Sequence, residues 1–214
     1  VALLFVSCDQ KTSREGDAEG QQESLNASQT SNKEGEWIPL FDGKSLEGWQ
    51  VGENAGTFKV EDGAIVVFGP RAHLFYMGPV ENHSFKNFEY KATVMTKPGA
   101  NSGMYIHTQY QEEGWPEKGY EIQVNNSHTD WRRTGSVYAV QDVKEPPAKD
   151  DEWFTQHIIV DGNKITVKVD DKVINEYTVP TEGSRLTTGT FALQGHDPES
   201  KVYYKDIMVK PLPD

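Results

Sequence analysis

The sequence predicts an all-β domain, a two-sheet antiparallel β-sandwich of the jelly-roll type. Apolar and polar residues alternate with period two in many short runs. Asp-Gly, Gly and Pro turn signals separate those runs, and no segment sustains an apolar stripe at helical spacing. Short strands of this kind bury their apolar faces by stacking one sheet on another. A flattened barrel is the nearest alternative.

The chain's first 36 residues stand apart from that pattern. Residues 1–8 form an apolar run that is too short to span a bilayer and ends Val6-Ser7-Cys8. The run resembles the tail of a bacterial lipoprotein signal, so Cys8 is expected to carry a lipid and hold the protein at the cell envelope, in the periplasm or on the outer membrane. The plain alternative is an apolar terminus with an incidental thiol. Residues 9–36 are rich in Gln, Ser, Gly, Glu, Lys, Asn and Thr and contain almost no apolar side chains. Such a stretch buries too little surface to offset its ordering entropy, and is expected to be a disordered tether.

The folded domain is expected over 37–214. Strands are read at 37–41, 57–60, 64–68, 73–77, 88–95, 104–109, 120–125, 153–160, 165–169, 173–179, 190–194 and 202–209. Asp62-Gly63 and Asp161-Gly162 are good turn signals, whereas Asp170-Asp171 is a poorer one.

Composition narrows the function classes. A net charge of -12 over 214 residues argues against nucleic acid and anionic lipid, which select for basic surfaces. The single cysteine excludes an intrachain disulfide and a cysteine zinc cluster. There is no Gly-rich phosphate loop, no nucleophile elbow and no His-Glu-x-x-His motif.

The most informative stretch runs from Asn101 to Tyr138. Alternation in two of its runs puts Met104, Ile106, Thr108, Tyr120, Ile122 and Val124 on one face. Tyr105, His107, Gln109, Glu121, Gln123 and Asn125 fall on the other. The first set belongs in a core. The second is rich in His, Gln, Asn and Tyr, where a solvated face would carry Lys, Glu and Thr, and it reads as a site for a polyhydroxylated ligand. Gln194 and His196 fall on a shared strand face and are further ligand-binding candidates. Trp115 and Trp131, in polar loops, are the better candidates for stacking on a sugar ring. His107, Glu121 and His196 together would offer mixed nitrogen and oxygen ligands, so a divalent metal is an open alternative. The pair Arg132-Arg133 reads better as charge balance than as a ligand site.

Five short motifs occur in order: Phe41-Asp42-Gly43-Lys44-Ser45-Leu46-Glu47-Gly48-Trp49, Asn101-Ser102-Gly103, Tyr120-Glu121-Ile122-Gln123, Thr134-Gly135-Ser136-Val137-Tyr138 and Leu193-Gln194-Gly195-His196. A closing Tyr204-Lys205-Asp206-Ile207 follows. Together they resemble the 3-keto-disaccharide hydrolase domain family across nearly all of the chain from Trp37 onward. The resemblance implies a concanavalin A-like lectin and glucanase sandwich, and action on glycosides whose ring carbon 3 is a ketone.

A ketone at carbon 3 acidifies the proton on carbon 2. A base there generates an enolate that can expel the substituent from carbon 1, without the paired carboxylates of ordinary glycosidases. Glu121 and His107 are the candidates for these proton transfers, with Tyr105, Gln123, Asn125, Gln194, His196 and Trp131 holding the substrate. Two rivals stand beside this reading. The chain could be a non-catalytic carbohydrate-binding module on the same fold, which would not require Glu121 to titrate, and Glu121 alone could be one half of a cross-strand ion pair. The chain could also be a purely structural envelope protein, which would leave the polar strand faces unexplained.

Overall fold

The computed structural model describes residues 35–180 and 187–214. Cys8 and nearly all of the expected tether lie outside these residues. The described strands are β1 (Ile38–Pro39), β2 (Trp49–Val51), β3 (Phe58–Glu61), β4 (Ala64–Phe68), β5 (Ala72–Tyr76), β6 (Phe88–Thr96), β7 (Ser102–Thr108), β8 (Tyr120–Val124), β9 (Phe154–Asp161), β10 (Lys164–Val169), β11 (Lys172–Thr178), β12 (Thr190–Gly195) and β13 (Lys201–Pro211). They form two sheets. The eight-stranded sheet runs β11-β10-β9-β6-β13-β4-β3, with β1 also on β13, and the five-stranded sheet runs β2-β5-β12-β7-β8. All named pairings are antiparallel, as the predicted sandwich requires.

The core lies between the sheets. On β6, buried and half-buried residues alternate along the strand, and Phe88, Tyr90, Ala92 and Val94 point inward. They meet β12, where the Phe191 ring stacks on Tyr90 and on Phe85 at centroid distances of 4.1 and 4.4 Å. Burial of each such side chain contributes roughly 1.5–3 kcal/mol, which makes this aromatic group a main tie between the layers. A polar tie crosses nearby: Ser102 Oγ is 2.7 Å from Tyr204 Oη and donates to the Gln194 carbonyl at 2.5 Å.

Two sequence motifs turn out to be structural. In the opening motif, Asp42 Oδ1 accepts the N–H groups of Lys44 and Ser45, both at 2.8 Å, and the Trp49 indole donates to the Leu40 carbonyl at 2.7 Å. That clasp makes the short strand β2, which alternation did not signal. Residues 134–138 run along the free edge of β8, with Tyr138 N–H on the Glu121 carbonyl and Gly135 N–H on the Gln123 carbonyl. The edge is thereby covered rather than left open. The weaker turn, Asp170-Asp171, does close β10 to β11. Both residues take positive φ, 47° and 64°, a conformation Asp tolerates.

The five-stranded sheet departs from simple alternation. Strands β5, β7 and β12 are buried at every position, so their polar face is enclosed as well as their core face. A bulge adds a second departure. Ala192 faces Tyr105 and Thr190 faces Thr108, so β7 spends one more residue than β12 over the same interval. His107 absorbs the extra residue at φ 50°. Gly119 and Gly189 press against the backbone there, and a β-carbon on either would collide with a carbonyl oxygen of Ile106 or Thr108. The bulge turns His107 off the polar face. Its Nε2 lies 2.9 Å from the Lys86 carbonyl oxygen, and its ring meets Phe88 edge-on at 5.4 Å. The expectation that His107 stands beside Glu121 is therefore corrected.

Candidate functional site

Strands β7 and β8 pair so that Tyr105 faces Glu121 and Gly103 faces Gln123. Strand β12 adds Gln194 on the same side. The Tyr105 hydroxyl donates to Glu121 Oε2 at 2.8 Å, and the Gln194 amide donates to Oε1 at 3.0 Å while lying 3.1 Å from the Tyr105 hydroxyl. Turning the Gln123 amide places its NH2 group 2.9 Å from Glu121 Oε1 and 3.2 Å from the Ser102 carbonyl, which satisfies both. The carboxylate is thus held from three directions by strand residues.

These groups line a cavity of about 500 Å³, with Asn101, Trp115, Tyr138 and His196 in its walls. That is ample for a sugar ring. Burial pushes the Glu121 carboxyl up to about 7, against the opposing pull of the Tyr105 and Gln194 hydrogen bonds and with help from the Asp130 charge. Burial also pushes the Tyr105 phenol well above its ordinary value, and the Glu121 carboxylate adds to that. A carboxyl poised near neutrality in the wall of a half-open cavity is suited to moving a proton.

The remaining predicted residues separate. Gln194 and His196 do line the cavity, and so does Trp115. Asn125 does not. Its amide donates to the Asp130 and Arg132 carbonyls at 3.0 and 2.8 Å and accepts from His128 N–H at 2.9 Å and from Arg133 at 3.1 Å. Every polar atom of that side chain is spent shaping the 126–133 loop. Trp131 stands outside, 47% exposed, beneath the Arg132 guanidinium in a separate shallow hollow. Arg132 pairs with Asp142 at 3.2 Å, and Arg133 also donates to the His128 carbonyl at 2.9 Å, so both arginines serve the loop.

His128, Asp197 and His73 escaped the sequence reading. His128, His196 and Asp197 place one nitrogen or oxygen atom each within 4.8 Å of one another. This, rather than His107–Glu121–His196, is where the described residues gather imidazoles and a carboxylate as a metal would need. One detail weighs against that use. His128 Nδ1 accepts the Asp130 N–H at 3.0 Å, which leaves the ring proton on Nε2. The ring then offers Asp197 a proton rather than a lone pair. His73 is the other omission. It faces Gln194 across β5 and β12, and its ring lies 5.4 Å from Tyr105 and 5.6 Å from Trp115. His73 Nε2 and Gln194 Oε1 are both buried without a hydrogen-bond partner. Asp197 and His128 lie far apart in the chain and carried no alternation signal.

The two-sheet antiparallel sandwich has the jelly-roll fold of the glucanase and lectin type. The solved structures it resembles agree. A protein from Parabacteroides distasonis ATCC 8503, named provisionally as a glycosyl hydrolase, matches with 23% identity and a TM-score of 0.70, over 84% of this chain and 94% of that one. The carbohydrate binding module CBM66 from Bacillus subtilis matches at 12% identity and TM-score 0.58, over 76% and 95%. The β-glucanase of Bacillus licheniformis matches at 11% and 0.56, over 86% and 100%. At these identities the likeness concerns the fold. No curated protein matches the chain. The family is nonetheless defined: residues 36–210 match the model of the 3-keto-alpha-glucoside-1,2-lyase-like domain, and the chain belongs to that family.

Proposed function

We propose that the protein cleaves 3-keto-glycosides by elimination, with Glu121 as the base. The Glu121 carboxylate takes the proton from carbon 2, and the electron pair moves into an enolate on the carbon 3 oxygen. Collapse of the enolate restores the ketone, forms the carbon 1–carbon 2 double bond and expels the carbon 1 substituent with the bonding pair. Addition of water to the unsaturated product would complete a net hydrolysis. The observation that carries the reading is the Glu121 carboxyl, held by Tyr105 and Gln194 in the wall of a cavity and pushed up by burial to about 7. Family membership supports the same substrate class. Gln123 holds the carboxylate rather than the substrate, and the Asn101 amide in the same cavity wall is placed to meet a ring hydroxyl or the ketone oxygen.

The test is to incubate the purified chain with methyl 3-keto-glucoside and with its unoxidised parent in deuterated water. Turnover of the keto compound alone, with deuterium entering at carbon 2 of unreacted substrate, is expected. Glu121→Gln should abolish both. Binding of both compounds without exchange or turnover would make the chain a carbohydrate-binding module instead. The proposal extends to location, with Cys8 lipidated and the domain tethered at the cell envelope; the mass of the N-terminal peptide from membranes checks this.

A further inference from the structure

The elimination needs a second group that no residue has yet supplied. An alkoxide leaves carbon 1 poorly unless it is protonated as the bond breaks, and the sequence had offered His107 for this task. The bulge in β7 removes it.

His196 is an imidazole in the cavity wall. It follows directly on β12, whose Gln194 is bonded to the Glu121 carboxylate, and it lines the same cavity. Its Nδ1 lies 2.7 Å from Asp197 Oδ2. Asp197 is itself anchored: Oδ1 accepts the N–H groups of Glu199 and Ser200 at 2.8 and 3.0 Å, and Oδ2 accepts the Ser200 hydroxyl at 2.7 Å. Burial pushes this carboxyl up, but the hydrogen bonds from His196, Ser200 and the backbone win and hold it at about 2, so it is ionised. An ionised carboxylate only accepts, which puts the shared proton on His196 Nδ1 and leaves Nε2 as the nitrogen free to exchange a proton with a ligand. Two rings fix the imidazole further, His128 at 5.5 Å and Trp115 at 5.4 Å. Ser200 Oγ also accepts the Asn101 N–H at 2.8 Å, tying this loop to the start of β7.

We propose that His196, oriented by Asp197, is the general acid that protonates the departing glycosidic oxygen. This rests on the elimination proposed above. As the carbon 1–oxygen bond breaks, its electron pair goes to the oxygen, which takes the proton from Nε2 of the imidazolium. His196 ends neutral and Glu121 ends protonated, and the two exchange with solvent before the next turnover. Asp197 is a positioning residue: it touches neither substrate nor reacting atoms.

The experiment compares two substrates of the same sugar, 4-nitrophenyl and methyl 3-keto-glucoside, in the native chain, His196→Gln and Asp197→Asn. Nitrophenolate leaves without a proton and methoxide does not. His196→Gln should slow the methyl substrate by about 10²–10⁴-fold and the nitrophenyl substrate by less than about tenfold. Asp197→Asn should give the same split to a smaller degree. Exchange of the carbon 2 proton should survive both changes. In the native chain, which involves no folding question, rates should fall only shallowly as leaving groups become more basic. Equal losses on both substrates, or a steep native dependence, overturn the assignment to His196 while leaving the elimination intact. Absence of exchange and turnover in the native chain overturns both.

Discussion

Gly103 lies directly beneath the carboxylate of Glu121: a β-carbon at residue 103 would sit 2.6 Å from Oε1 and 2.8 Å from Cγ. The glycine of the Asn101-Ser102-Gly103 motif is therefore there for close approach, not for an unusual backbone angle. Gly103→Ala should fold, because the strand geometry suits alanine, yet it must push the carboxylate off its Tyr105 and Gln194 partners. A loss in kcat of about 10–100-fold is expected from a displacement of this size. Equal kcat for Gly103→Ala and the native chain, at an unchanged melting temperature, would contradict the placement.

Glu121 also sets a pH dependence whose direction is fixed by its environment. Its carboxyl is pushed from the ordinary 4.5 up to about 7 in the fold. The folded state binds the proton more tightly, so the contribution of this group to stability is full below about 4.5 and is lost as pH rises through about 7, on the order of a few kcal/mol in all. Activity runs the other way, because the base must be ionised. On the 4-nitrophenyl substrate, whose departure needs no proton from His196, kcat/KM should rise with pH and level off above about 7. Glu121→Gln should abolish this activity and, in urea melts between pH 4.5 and 7, should gain stability over the native chain as pH rises.

His73 provides the opposite slope. Burial pushes its imidazole from 6.5 down to about 4, with Arg71 and His196 adding to that and Glu53 opposing it. A group with a depressed value contributes stability that is present above the unfolded value of about 6.5 and is lost as pH falls through about 4. The Glu121 and His73 contributions therefore offset each other between about 4.5 and 6.5. His73→Leu should remove the acid-side loss and expose the Glu121 slope, so that stability falls as pH rises across that interval. A native-like profile in His73→Leu would show that the imidazole is not held neutral.

Asn125 and Trp131 separate loop architecture from ligand contact. Asn125→Ala leaves partly buried loop carbonyls unmet and should cost about 1–3 kcal/mol by chemical denaturation. Trp131→Ala, at an exposed ring outside the cavity, should leave kcat/KM within about twofold, whereas Trp115→Ala should raise KM. A large kinetic effect at Trp131 would place substrate where the cavity does not reach.

The strand pattern was largely legible because burial on one face leaves a period-two signature, and β6 keeps it along its whole length. The carboxylate and its partners Tyr105, Gln123 and Gln194 were legible for the same reason. His107 was not, because a bulge shifts the pattern by one residue without changing composition; the nearest mark is the pair Gly119 and Gly189, distant in sequence and joined only by the fold. Asn125 kept the right chemistry but the wrong target, since an amide that caps loop carbonyls and one that binds hydroxyls look alike in a sequence. His128 and Asp197 sit in irregular loops where periodicity says nothing, and β2 is a short strand fastened by the Trp49 indole rather than by alternation.

The Glu121 carboxylate and the side chains bonded to it stand on β7, β8 and β12, whereas Trp115 and Tyr138 come from the connecting segments around them. On the proposed reaction, the groups that transform the substrate and those that admit it are thus encoded in separable stretches of the chain. Exchanging the 109–119 segment between relatives should retune which aglycones enter, while the proton transfer at carbon 2 passes unaltered from one specificity to the next.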